Sequence, residues 1–202
     1  MLLKINAHQP QPRHVQSVTE ILNRGGVIAY PTDSMYAVGC SILDKKAINQ
    51  LYRIKAEDKH KPLSFICDSI QMASRYVTIS NNAFRIMKRA TPGPFTFILE
   101  ANNIVPKIML TKRHTVGIRI PANNICLAVA LSLGTPIIST SINPHYGENL
   151  QDPGEIHSRL KGMIDLVIDG GEIFPQLSTV VDLTGPTPEV VREGAGDVAL
   201  IF

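Results

Sequence analysis

The chain has 202 residues, 44% of them apolar and 18% charged, with a formal net charge of +3. That length and apolar content suffice to bury a core and exclude a disordered chain. No signal-peptide pattern opens the chain, and no stretch stays apolar for the ~20 residues a bilayer span needs, so a cytoplasmic protein without a membrane partner is expected.

The first twelve residues are short and mixed and suit an edge strand and a loop. A helix over about 15–24 follows, with Val18, Ile21 and Leu22 on one face and Gly25-Gly26 as its C-terminal cap. Val27–Tyr30 is a buried strand that Pro31 should end, because proline has no N–H for the ladder. Thr32, Asp33 and Ser34 come next, and an extended run resumes from Val38 to Ile42. The residues alone leave open whether Pro-Thr-Asp-Ser is an ordinary turn or the wall of a site.

Asp44 can cap a helix over 45–55. A strand is expected over 62–67, then helices near 70–76 and 81–90, the second capped by Ser80. Thr91-Pro92-Gly93-Pro94 is a rigid turn before a strand at 95–100, and Pro106–Leu110 suits a short helix. In the strand Thr115–Pro121, alternation puts Arg119 on one face with Gly117 and Thr115, opposite Val116, Ile118 and Ile120. A helix over 124–133 stops at Gly134. Pro136–Ile138 begins a strand that runs into Ser139-Thr140-Ser141. Asp152-Pro153-Gly154-Glu155 has the cap, proline and carboxylate of a helix start, and that helix should run to about Lys161. Strands are expected over 164–168, 179–183 and 190–191. Mixed strand–helix order without linker or repeat predicts one domain over 1–202, an α/β three-layer fold with a mixed sheet.

Charge is uneven along the chain. Residues 1–120 hold 17 Lys and Arg against 7 Asp and Glu; residues 121–202 hold 3 against 10. A basic half suits an anionic partner such as a nucleotide or RNA, or else it attracts the acidic half. Cys40, Cys67 and Cys126 form no C-x-x-C pair. This argues against a disulfide framework or structural zinc and suits a reducing compartment, with each thiol a small buried residue. The six histidines show no metal-ligand spacing, and no glycine-rich phosphate loop or G-x-S-x-G elbow is present. What recurs is hydroxyls and amides at strand ends: Thr32 and Ser34, then Ser139, Ser141 and Asn143, then Ser178 and Thr179. With Lys55, Arg119 and Arg192 nearby, such groups suit polyanion binding; each alone is equally good turn chemistry.

Six motifs stand in order: Y-P-T-D-S-x-Y-x-x-G at 30–39, T-P-G-P-F-T-F-I-L at 91–99, G-I-R-I-P at 117–121, S-T-S-I-N at 139–143, S-T-V-V-D at 178–182 and V-R-E-G at 191–194. Together they resemble the YrdC/YciO family, which includes the threonylcarbamoyl-AMP synthases of tRNA modification. The resemblance runs from about Val18 to Gly196. It implies a YrdC-like fold: a twisted mixed parallel/antiparallel sheet with helices around a large concave basic cavity. It implies a nucleotidyltransferase that takes L-threonine, bicarbonate and ATP, with Mg2+ on the nucleotide, to threonylcarbamoyl-AMP and pyrophosphate. A partner then transfers the threonylcarbamoyl group to tRNA. By position, Thr32 and Ser34 would line the threonine and adenylate site, and Lys55 would meet phosphate or carboxylate. Arg119 would take the substrate's anionic end. Ser139, Ser141 and Asn143 would hold phosphate and nucleotide, and Ser178 and Arg192 would complete the nucleotide side. Two positions depart from the synthase pattern: Glu57 stands where K-x-R has its arginine, and Asp33 where glutamate is more usual. Both look like the YciO branch. The alternatives for that branch are a tRNA- or double-stranded-RNA-binding protein without synthase activity, and a hydrolase of threonylcarbamoyl adducts.

Overall fold

A computed structural model describes residues 1–55, 63–142 and 150–202. Its strands are β1 (Leu2–Lys4), β2 (Val27–Pro31), β3 (Tyr36–Ser41), β4 (Ser64–Ile66), β5 (Phe95–Glu100), β6 (Thr115–Arg119), β7 (Ile137–Ser141), β8 (Leu166–Asp169), β9 (Thr179–Asp182) and β10 (Glu189–Arg192). They form one sheet in the order β1-β8-β2-β3-β7-β4-β6-β5-β9-β10. Pairing is parallel at β1–β8, β2–β8, β4–β6 and β5–β9 and antiparallel elsewhere, so the sheet is mixed, as expected.

The helices are α1 (Pro12–Asn23), α2 (Lys45–Lys55), α3 (Ile70–Ala73), α4 (Asn81–Ala90), α5 (Asn124–Leu133) and α6 (Pro153–Arg159). They divide between the two faces. Val18 and Leu22 of α1 and Ile125 and Val129 of α5 pack on Ile28, Tyr30, Ile137 and Leu166. Ile48 and Leu51 of α2, Ile86 and Met87 of α4 and Ile156 of α6 pack on Val38, Phe65, Phe97 and Ile118. Strand alternation sends neighbouring residues to opposite faces, which gives three layers and two separate clusters of core.

The caps are local and predictable. Ser80, Asn123 and Asp152 accept from the N–H three residues on, and α5 closes at Gly134 with φ +69, where glycine carries no Cβ penalty. Pro31 ends the strand, as expected, but as its last paired residue, opposite Tyr36. β8 flanks β2 only at Ile28 and Ala29, so Pro31 has a strand on one side alone, where a missing N–H is tolerated. Three expectations are corrected. The next strand begins at Tyr36 rather than Val38, and Thr32–Met35 is the loop of a β-hairpin closed by Thr32 N–H donating to Met35 C=O. Helix α3 ends at Ala73 rather than Tyr76, because Val77 bridges to Ala101 and Thr78 N–H bonds Glu100 C=O. Helix α6 ends at Arg159 rather than Lys161, which bridges to Ile164, so β8 starts at Leu166. The three thiols are buried, as expected, and burial raises the pKa of each. Among the described residues no helix is long and apolar enough to cross a membrane.

Candidate functional site: a cationic cavity on the open half of the sheet

Helices α1 and α5 cover only part of their face. In β4, Ile66 lies under them while Ser64, two residues away on the same face, lines an open cavity of about 790 Å³. In β7 the change falls between Ile137 and Ser139. Beyond that line the same face carries Gly117 and Arg119 of β6, Thr96 and Ile98 of β5, Val180 of β9 and Arg192 of β10. A Cβ on Gly117 would come within 3.1 Å of Thr96 Cγ2 and 3.2 Å of Ser64 Oγ, so glycine keeps the floor low.

Register brings the two arginines into one row. Phe97 pairs with Ile118, so one step along places Thr96 opposite Arg119. Thr96 pairs with Val180, and Val180 with Arg192. The two arginine backbones are thus three strands apart, about 14 Å, with only Thr96 and Val180 between them. Burial first, then the Arg119 charge, lowers the pKa of Arg192. Arg192 is held by Nε and Nη2 donating to Ser178 C=O at 3.2 and 2.8 Å. Ser178 Oγ bonds Thr96 Oγ1 at 2.9 Å.

The hairpin loop closes one side. Nη2 of Arg119 donates to Asp33 Oδ1 at 2.8 Å and to Ser34 Oγ at 2.9 Å. Segment 170–178 crosses this loop. Gln176 N–H donates to Ser34 C=O at 2.9 Å, and the Tyr36 hydroxyl donates to Gly171 C=O and accepts from Gly170 N–H. Burial pushes the Tyr36 phenol up to about 12, so it keeps the proton it donates. Ser139 Oγ accepts from the buried Tyr30 hydroxyl at 2.6 Å, which leaves its own proton for another acceptor.

The structure gathers Ser34, Lys55, Arg119, Ser139, Ser141, Ser178 and Arg192 around this one cavity. Thr32 is not in the lining. Its Oγ1 donates to Met35 C=O and accepts from the N–H groups of Ser34 and Met35, so it shapes the loop from within. Asn143 and Glu57 lie outside the described residues. Sequence reasoning missed Ser64, Thr96, Lys112 and Arg113. The signal for the last two was present: a Lys-Arg pair just ahead of the strand that carries Arg119. Arg113 is tethered by Asp182 Oδ2 at 3.2 Å. Burial raises the Asp182 pKa, but bonds from Thr184 and the Arg113 charge outweigh it and bring it below the ordinary value.

Lys55, Lys112, Arg113, Arg119 and Arg192 make five cations in the lining, and among the described residues no carboxylate lines it. Nor do the described residues include a group of three or more His, Cys, Asp or Glu able to hold a metal ion. The arrangement can hold an anion with several charges.

The family model Sua5_yciO_yrdC, described as "Telomere recombination", matches residues 20–194, and the chain belongs to that family. Its fold is that of solved members. The crystal structure of Escherichia coli YciO superposes with a TM-score of 0.93 at 42% identity, covering 100% of this chain and 99% of that one. Pyrococcus abyssi Sua5 complexed with L-threonine superposes at 0.88 and 26% identity, covering 96% of this chain and 57% of that one. In sequence the chain is 44% identical to "Uncharacterized protein YciO" of E. coli K12, over 96% of this chain and 95% of that protein. It is 37% identical to the "Threonylcarbamoyl-AMP synthase" of Chromobacterium violaceum, over 82% of this chain and 94% of that one.

Proposed function

We propose that this chain makes threonylcarbamoyl-AMP from L-threonine, bicarbonate and ATP. The observation that carries the reading is the cavity with five cations and no described carboxylate, on a chain homologous to named synthases. The chemistry is a sequence of charge movements. The threonine amine attacks bicarbonate and forms a carbamate with loss of water. A carbamate oxygen then attacks the α-phosphorus, the bond to the bridging oxygen breaks, and pyrophosphate leaves with the electron pair. The carbamate supplies its own nucleophile, so no protein base is needed at the adenylation step. What the protein must do is hold two anions together and offset the charge that grows on the leaving group.

The residues divide accordingly. Arg119 and Ser34 take the threonine carboxylate. Arg192, Ser178 and Ser139 hold nucleotide phosphate, Ser139 with the proton that Tyr30 leaves free. Lys55, Lys112 and Arg113 offset the pyrophosphate. Magnesium was expected with ATP, but the described lining has no carboxylate to seat it, and no step here runs through the ion.

The test is pyrophosphate release with each substrate withheld in turn. Release should need ATP, threonine and bicarbonate together, and Arg192→Ala should raise the KM for ATP. Absence of threonine-dependent release in both the native chain and Glu57→Arg sinks the reading. A cavity of this charge would also hold RNA phosphates. Against that, no aromatic side chain is among the described lining residues, so bases have no stacking platform. RNA binding that weakens steeply with salt, with no pyrophosphate release, would favour the RNA reading instead.

A further inference from the structure

Asp33 sits behind the cavity wall, its side chain 7% exposed, and both its oxygens are used. Oδ1 accepts from Arg119 Nη2, and Oδ2 accepts from Ala122 N–H at 2.8 Å. An arginine and a carboxylate left to themselves favour a fork in which two nitrogens meet two oxygens. Here one nitrogen serves both Asp33 and Ser34, while Nε of Arg119 is buried without a partner. The guanidinium is therefore held off-centre, by one corner, on a residue that lines the cavity. The second oxygen of Asp33 is fixed by the chain just past β6, so the carboxylate cannot turn to complete the fork.

We propose that Asp33 is a positioning residue that makes the cavity discriminate between anions. It fixes the direction in which Arg119 presents its remaining donors, and it cancels part of the Arg119 charge. A planar carboxylate that fits the presented edge is favoured, and a compact polyanion that offers charge alone is disfavoured. The inference rests on the reading of this cavity as the site of an amino acid and a nucleotide, and it adds what keeps pyrophosphate out of the amino-acid end. Asp33 itself does not line the cavity.

The test compares the native chain with Asp33→Asn, which keeps an acceptor for Arg119 and removes the charge, and with Asp33→Glu, which keeps the charge. Calorimetry gives the Kd for inorganic pyrophosphate, and the release assay gives the KM for threonine. In Asp33→Asn the pyrophosphate Kd should tighten roughly three- to tenfold as the opposing charge goes. The threonine KM should rise about tenfold, because the amide has one acceptor oxygen where the carboxylate has two: bonded to Arg119 it sets its NH2 against the Ala122 N–H, and Arg119 is no longer held in one direction. Asp33→Glu should keep the pyrophosphate Kd near the native value. A merely structural role would weaken both ligands together, and that result, or no change beyond about twofold in either, overturns the proposal. If the native chain releases no threonine-dependent pyrophosphate, the functional reading has failed, and calorimetry with pyrophosphate alone still decides about Asp33: no tightening in Asp33→Asn overturns it. Should Asp33→Asn not fold, Asp33→Ser replaces it; failure of both to fold makes Asp33 a folding residue and ends the proposal.

Discussion

One face of the sheet has two halves that follow the same alternation and differ in what covers them. Under α1 and α5 the upward residues are Ile28, Tyr30, Ile66, Ile137, Leu166 and Ile168. Beyond the helices they are Ser64, Thr96, Gly117, Arg119, Ser139 and Arg192. The boundary passes through single strands, with Ile66 and Ser64 two residues apart in β4. On the opposite face Phe65, Phe97, Val116 and Ile118 stay apolar across it. The lesson is that the site is the part of a core layer where the helix is missing, and the sequence has followed the loss of cover residue by residue.

The largest expected effect falls in the open half. Arg119→Ala leaves Asp33 buried without its cation, and urea denaturation should show a loss of about 3–5 kcal/mol. A loss below about 1 kcal/mol would mean that water already serves that carboxylate. The next compares the halves directly. Ile137→Ala, under the helices and fully buried, should cost ~2–5 kcal/mol. Thr96→Ala, on the open floor, should cost no more than about 1.5 kcal/mol for its bond to Ser178. Equal losses would dissolve the distinction. The smallest effect concerns the Asp182–Arg113 tether. The folded pKa of Asp182 is lowered, so its contribution is complete above the unfolded value of 3.8 and is lost as pH falls below that through the folded value. Arg113 is largely exposed, so salt should shrink this slope; an unchanged slope in Asp182→Asn would show that other carboxylates set it.

Regular elements were legible in sequence on both halves. Helix α5 was read to the residue, because Gly134 marks its end. Strand β5 was read to the residue after the Thr91–Pro94 turn. Alternation in Thr115–Arg119 gave the face of Arg119. The hairpin was missed because Pro31 reads as a stop and Thr32–Met35 lacks the Asn-Gly signature of a tight turn. Thr32 was placed in the cavity because spacing cannot say which of two hydroxyls in one loop turns inward. Lys112 and Arg113 were passed over although they stand just ahead of the strand that carries Arg119; what a linear chain does not show is their meeting with Arg192. That meeting depends on β9 pairing beside β5, a crossover of about eighty residues in sequence that only the folded sheet displays.

Segment 170–178 fixes the position of Ser34 through a main-chain N–H, that of Gln176. Every amino acid but proline carries that group, and the Gln176 side chain is exposed. The position of a binding hydroxyl is therefore indifferent to the identity of its support. A saturation library at position 176 should give a flat profile of function with a single gap at proline. A screen that ranks residues by intolerance to substitution would pass over a contact on which the loop depends.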